Sequence, residues 1–228
     1  MIPLKNDIPR NTFPLIVLLL ILINILLFFH EISLGKSLEL FIKNYGVIPV
    51  NFFSNKADLF SRGYTLITSI FLHGSWLHLF GNMWFLWIFG KNIEDRLGHL
   101  RYIIFYLGCG IAGGLAHIYV NPASAIPTIG ASGAISGILG AYFILYPFAR
   151  ILTAVPIFFF FYFIKLPAFF FLGLWFLIQF FSGTSSILTE PTSMGEVAWW
   201  AHVGGFAAGI ILVPFFLIGR KKPARSFT

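Results

Sequence analysis

Residues 151–181 read ILTAVPIFFFFYFIKLPAFFFLGLWFLIQFF. The stretch is apolar for most of its length and is broken by Pro156, Lys165 and Pro167. It is long enough for one membrane crossing or two, and that choice sets the topology of the whole chain. Elsewhere, apolar runs of spanning length place crossings at about 13–29, 76–90, 101–119, 131–146 and 198–218. If 151–181 holds one crossing, the two termini share a side. Lys5, Arg10, Lys91, Arg96, Arg101, Arg150, Lys165, Arg220, Lys221, Lys222 and Arg225 then fall on that side, against Lys36, Lys43, Lys56 and Arg62 on the other. A cytoplasmic excess of Lys and Arg is the usual orientation signal, and two crossings would put the 220–225 cluster on the wrong side. The reading is therefore an all-α polytopic protein with six transmembrane helices and both termini cytoplasmic. Residues 167–182 form the fifth span, and 151–166 an interfacial or re-entrant segment.

Composition agrees. Of 228 residues, 58% are hydrophobic and only 10% charged, too little polar surface to face water on all sides. The length suits a single membrane domain, 1–228, with no room for a second large soluble one. Fifteen basic residues against eight acidic ones would suggest nucleic acid in a soluble protein; here they orient helices, and no nucleic-acid partner is expected. The basic tail 220–228 adds some attraction to anionic lipid. Cys109 has no second cysteine to pair with and lies between Gly108 and Gly110, where it reads as a packing residue. The run 13–29 is read as a retained helix rather than a signal peptide, since no small-residue cleavage site follows it. The long first loop, 30–75, mixes charges with Phe41, Phe52, Phe53 and Phe60, a pattern of short amphipathic helices lying in the interface.

In this topology the second, fourth and sixth helices run inward from the outer face, and polar residues stand near the start of each. His78 and Asn82 are early in the second, Ser132 opens the fourth, and His202 is early in the sixth. With a rise of about 1.5 Å per residue, the four share one shallow layer. His78 and Asn82 lie within about 40° of each other on their helix, and His202, Gly205 and Gly209 share a face. Gly133, Ser136, Gly137 and Gly140 form a small-residue stripe beside Ser132, and facing glycine stripes allow helix backbones to touch. A glycine-rich serine or a small-xxx-small repeat is, taken alone, ordinary membrane packing. A histidine in lipid needs a partner, and the convergence of Ser, two His and Asn at one level points to a site.

The chemistry follows from residue type. A serine hydroxyl becomes a nucleophile when a neutral histidine takes its proton. Ser132 follows Gly130 at a loop-to-helix junction, where free backbone N–H groups, with Asn82 and His78, could hold an oxyanion. All eight acids are assigned to loops or the N-terminal segment, so the reading is a Ser132–His202 dyad rather than a triad. No His-Glu-x-x-His, intramembrane aspartate or phosphate loop is present, and no metal site is expected.

His78-Leu79-Phe80-Gly81-Asn82, Gly130-Ala131-Ser132-Gly133 and Ala201-His202-Val203-Gly204-Gly205 with Gly209 together resemble the rhomboid family of intramembrane serine proteases. Phe71-Leu72-His73-Gly74-Ser75 and Glu94-Asp95-Arg96-Leu97-Gly98 resemble its bacterial branch. The resemblance spans roughly residues 45 to 218. It implies a six-helix rhomboid fold in a bacterial inner membrane. It also implies cleavage of single-pass membrane proteins near the outer face without a cofactor, with Ser132 as nucleophile, His202 as general base and acid, and His78 and Asn82 as oxyanion donors. By the same resemblance, the fifth helix and the loop 183–197 act as a gate. Two positions depart from the family pattern. Tyr64-Thr65 stands where a Trp-Arg pair is frequent, and Ser136 stands where a tyrosine often stacks on the catalytic histidine. The expectation is that Ser136, a water, or packing alone orients His202, with His73 also close behind the site. A catalytically silent relative that binds membrane helices is the alternative reading; it would ordinarily lack the serine or the histidine.

Overall fold

The computed structural model describes residues 1–53, 59–187 and 197–220. An N-terminal strand β1 (Ile2–Asn6) precedes the first long helix, α1 (Leu15–Ser33). Short helices α2 (Leu38–Tyr45), α3 (Pro49–Phe53) and α4 (Leu59–Thr68) fill the first loop, as its mixed composition predicts. Next comes α5 (Trp76–Phe85), which continues through a π-helical turn, Leu86–Gly90, into α6 (Lys91–Leu97). Then follow α7 (His99–Val120), α8 (Ser132–Leu145), strands β2 (Arg150–Ile157) and β3 (Phe160–Pro167), α9 (Ala168–Ile187) and α10 (Trp199–Phe216). Among the described residues, four helices are long and apolar enough to cross a membrane: α1, α7, α9 and α10. The apolar α8 is shorter, at 14 residues, and ten of those are buried, so it forms the centre of the bundle.

The expectation of an all-α protein fails at 150–167. These residues form an antiparallel hairpin, and β1 joins its first strand to give a three-stranded sheet of order β1-β2-β3. Residues 151–166 are therefore extended. Their composition explains this: the segment is rich in Ile, Val, Phe, Tyr and Thr, which suit a pleated surface, and Pro156 and Pro167 interrupt any helix. The turn falls at Phe158-Phe159, with Phe158 at a φ of +53° and both rings almost wholly exposed.

The assignment of every acid to a loop also needs correcting. Glu31 lies in the last turn of α1 and Glu94 within α6, and both are buried. The buried charge of Glu94 meets donors at an open helix end. Its carboxylate accepts the N–H groups of Ile16 and Val17 at 2.8 and 2.9 Å, capping the first turn of α1, and His99 Nδ1 at 2.6 Å. Neighbouring Asp95 accepts from the Thr12 N–H at 2.7 Å and its hydroxyl at 2.6 Å. The Glu94–Gly98 motif is thus a clasp between α6 and the start of α1. Glu190 and Glu196 lie outside the described residues.

The glycine stripes meet as their spacing predicts. A Cβ on Gly205 would strike the carbonyl of Gly133, one on Gly209 that of Gly137, and one on Gly140 that of Phe206. On the far side, a Cβ on Gly113 of α7 would lie 2.6 Å from the Ala201 carbonyl. Side chains at these positions would hold α10 off α7 and α8; glycine lets the backbones touch. Cys109 is buried against Gly137, in the packing role read for it.

Candidate active site

Ser132 is the first residue of α8, and the turn before it is built by Gly130. Gly130 has a φ of +130°, and its N–H donates to Ser69 O at 2.8 Å. A Cβ there would lie 2.7 Å from both Cε1 and Nε2 of His78 and 3.6 Å from Ser132 Oγ. Glycine is required twice over, by the backbone angle and by the imidazole that fills the space. Gly130, Ser132 and His78 are thereby brought together from two separate segments. The first intrahelical bond of α8 runs from Ile135 N–H to Ala131 O, so the N–H groups of Ser132 and Gly133 precede the hydrogen-bonded ladder.

His202 arrives from α10. A Cβ on Gly133 would lie 3.5 Å from Ala201 O and 3.8 Å from Ala201 Cβ. Since Ser132 and His202 are the adjoining residues on the two helices, they stand at one level where α8 and α10 touch. A cavity of about 50 Å³ is lined by His117, Asn121, Thr128, Ser186, Trp199 and Trp200; Ser132 and His202 are not among its lining residues.

Behind His78 lies a buried relay. Ser75 caps α5, accepting the His78 N–H at 3.2 Å. Asn82 Nδ2 donates to His73 Nε2 at 3.0 Å, and the His73 N–H donates to both oxygens of Glu31, at 3.3 and 3.2 Å. Burial, with His78 nearby, pushes the His73 imidazole down to about 3, so it is neutral at working pH and its Nε2 can accept. His73 thus bonds Asn82, and Glu31 behind it is a residue that sequence reasoning missed. An acid just past the end of an apolar run resembles a loop residue, and only its burial identifies it.

Ser136 does not reach His202. Its hydroxyl donates to Ser132 O at 2.6 Å, one turn back along the same helix. The group bonded to His202 is Gln179 of α9, with Oε1 2.7 Å from Nδ1. Gln179 is buried, and its Nε2 donates to Trp175 O at 3.3 Å. The Trp175 ring lies 6.0 Å from the imidazole between centroids, tilted at 31°. Sequence reasoning missed Gln179, although it is the one amide in the fifth apolar run and a buried amide in lipid demands a partner. Most of the loop after α9 lies outside the described residues. Among those residues, no group of three or more His, Cys, Asp or Glu side chains is arranged to hold a metal ion.

The family model for the rhomboid domain matches residues 61–219. The chain is 34% identical over 135 residues to the rhomboid protease GluP of Bacillus subtilis, covering 58% of this chain and 25% of that protein. It is 31% identical over 119 residues to the mitochondrial rhomboid protein 1 of Saccharomyces cerevisiae, covering 50% and 32%. It is also 31% identical over 185 residues to RHOMBOID-like protein 1 of Arabidopsis thaliana, covering 81% and 41%. The chain therefore spans less than half the length of these relatives. A family model covering well over half of the sequence places this multi-pass membrane protein in the rhomboid family.

Proposed function

We propose that this chain is an intramembrane serine endopeptidase that cleaves single-pass membrane proteins near the outer face of a bacterial inner membrane. The reading is carried by the close approach of α8 and α10 at Gly133 and Ala201, the residues that adjoin Ser132 and His202. His202 removes the Ser132 proton through Nε2 as Oγ attacks the scissile carbonyl carbon. The oxyanion that forms is held by N–H groups at the start of α8, with Asn82 and His78 as side-chain donors. His202 then passes its proton to the leaving amine, giving an acyl-enzyme on Ser132. A water next gives a proton to His202 as it attacks the ester carbon, and His202 returns that proton to Ser132 Oγ.

The proposed topology has six crossings, by α1, the continuous α5–α6 helix, α7, α8, α9 and α10, with both termini cytoplasmic. No cofactor takes part. Exposure of membranes to a fluorophosphonate tests the reading. Labelling confined to Ser132, with labelling and cleavage both lost in Ser132→Ala and His202→Ala, is the expected result. A chain that binds membrane helices but neither labels nor cleaves them would be a silent relative instead.

A further inference from the structure

We propose that Gln179 is the positioning residue for His202 and sets which ring nitrogen is the base, so that docking of α9 decides whether the dyad is competent. The inference rests on the Ser132–His202 reading above and adds a residue that none of the sequence motifs contains.

A neutral imidazole carries one N–H and one bare nitrogen. Gln179 Oε1 can only accept, so its 2.7 Å contact puts the proton of His202 on Nδ1. The amide orientation is itself determined. Nε2 donates to Trp175 O, and a flipped amide would set Oε1 against that carbonyl, two acceptors face to face. The bond to Gln179 therefore leaves Nε2 of His202 bare, which is the state a general base requires. The other candidates are already engaged: the Ser136 hydroxyl bonds Ser132 O, Glu31 accepts from His73, and Glu94 caps α1. A neutral acceptor also avoids a buried carboxylate in a layer bordered by lipid, where an ion carries a desolvation cost of several kcal/mol.

The amide is held by an aromatic seam between α9 and α10. Phe176 stacks on Phe206 at 4.8 Å, Trp175 lies 6.0 Å from Phe206, and Phe180 meets Trp200 at 5.9 Å. Because the amide travels with this seam, a shift of α9 away from α10 removes the acceptor from Nδ1. The imidazole is then free to carry its proton on Nε2, where it cannot act as a base. Opening of this seam and loss of the base are one event.

The test uses the full-length protein in lipid vesicles, with cleavage of a fluorogenic membrane substrate and fluorophosphonate labelling followed against pH. Gln179→Leu is expected to lower kcat roughly 10- to 100-fold, with KM within about twofold. Nitrogen-15 spectra of the imidazole, assigned by its loss in His202→Ala, should move from the Nδ1–H form toward Nε2–H. Gln179→Glu restores an acceptor and should recover most of the rate, with the acid limb of the profile moved to higher pH because a carboxylate favours the imidazolium. Unchanged kcat and tautomer in Gln179→Leu overturn the proposal. So does an equal loss in both variants that appears in KM alone, which would mark α9 as a substrate contact. Full activity in Ser132→Ala would instead sink the underlying dyad and is scored separately.

Discussion

At Ser132 the local backbone does as much as the side chain. Gly130 turns the chain through a left-handed angle and leaves its vacant Cβ position to His78, so a single methyl is a test of the whole corner. Gly130→Ala should fold yet lose about 10²–10³ of turnover, the usual effect of displacing one oxyanion donor, measured as kcat on a membrane substrate. Ser136 gives the contrasting case. Its hydroxyl is spent on the carbonyl of Ser132, a back-bond that contributes little to helix stability. Ser136→Ala should keep its rate within about threefold and leave the pH profile in place, since about 0.65 kcal/mol is all that such a change represents. A large loss there would mean that the hydroxyl serves His202 after all. Ser132, His202, His78 and Asn82 stand out in the sequence as candidates because lipid makes polar residues in apolar runs conspicuous. Gln179 obeys the same rule and was passed over because it belongs to none of the three motifs.

Between helices, the decisive contacts are made by absent side chains. A Cβ at Gly205 meets the Gly133 carbonyl, and relief requires α8 and α10 to part beside the dyad. Gly205→Ala should destabilise the fold by about 1–3 kcal/mol, as overpacking does, and should lower activity in the fraction that remains folded. Gly108→Ala is the control, because a Cβ there meets nothing within 4 Å and alanine favours the helix. Thermal unfolding in detergent beside a cleavage assay separates the two. At the other end, Glu94→Gln should cost about 1–2 kcal/mol by weakening the cap on α1, with kcat unchanged. The helices were readable from apolar length, but the hairpin was not. Half-buried strands announce themselves by alternation, and no residue from Phe160 to Lys165 is buried on either face of β3. The pairing of β2 with Ile2–Asn6 joins residues some 150 apart, and local pattern carries no trace of that.

Taken as a whole, the molecule has two ends, and its hydrogen bonds sort the chain between them. At one end the Arg150 N–H bonds Asp7 at 2.8 Å, Glu94 and Asp95 hold residues 12–17, Arg101 donates to Phe216 O and Ile218 O at 2.9 and 2.8 Å, and Arg220 donates to Leu97 O. At the other, Glu31 meets His73, Gly130 meets Ser69, and Trp200 Nε1 reaches Gly183 O at 3.1 Å. Passing from one set to the other always means traversing one helix: α1, α5–α6, α7, α8, α9 or α10. Charged side chains make several of these contacts, and the first end is the one that collects Lys5, Arg10, Arg96, Arg101, Arg150 and Arg220. The proposed topology puts an even number of crossings between the two ends, with the basic end inside. Single cysteines read out by a membrane-impermeant maleimide decide it, and Cys109 stays silent because it is buried. Lys36→Cys and Ala123→Cys should label in intact cells, while Arg10→Cys and Gly219→Cys should label only after permeabilisation. Labelling of Arg10→Cys and Gly219→Cys from opposite sides would break the even count. The reverse pattern throughout would keep six crossings and invert the molecule, carrying Ser132 and His202 to the cytoplasmic leaflet and with them the side on which substrates are cut.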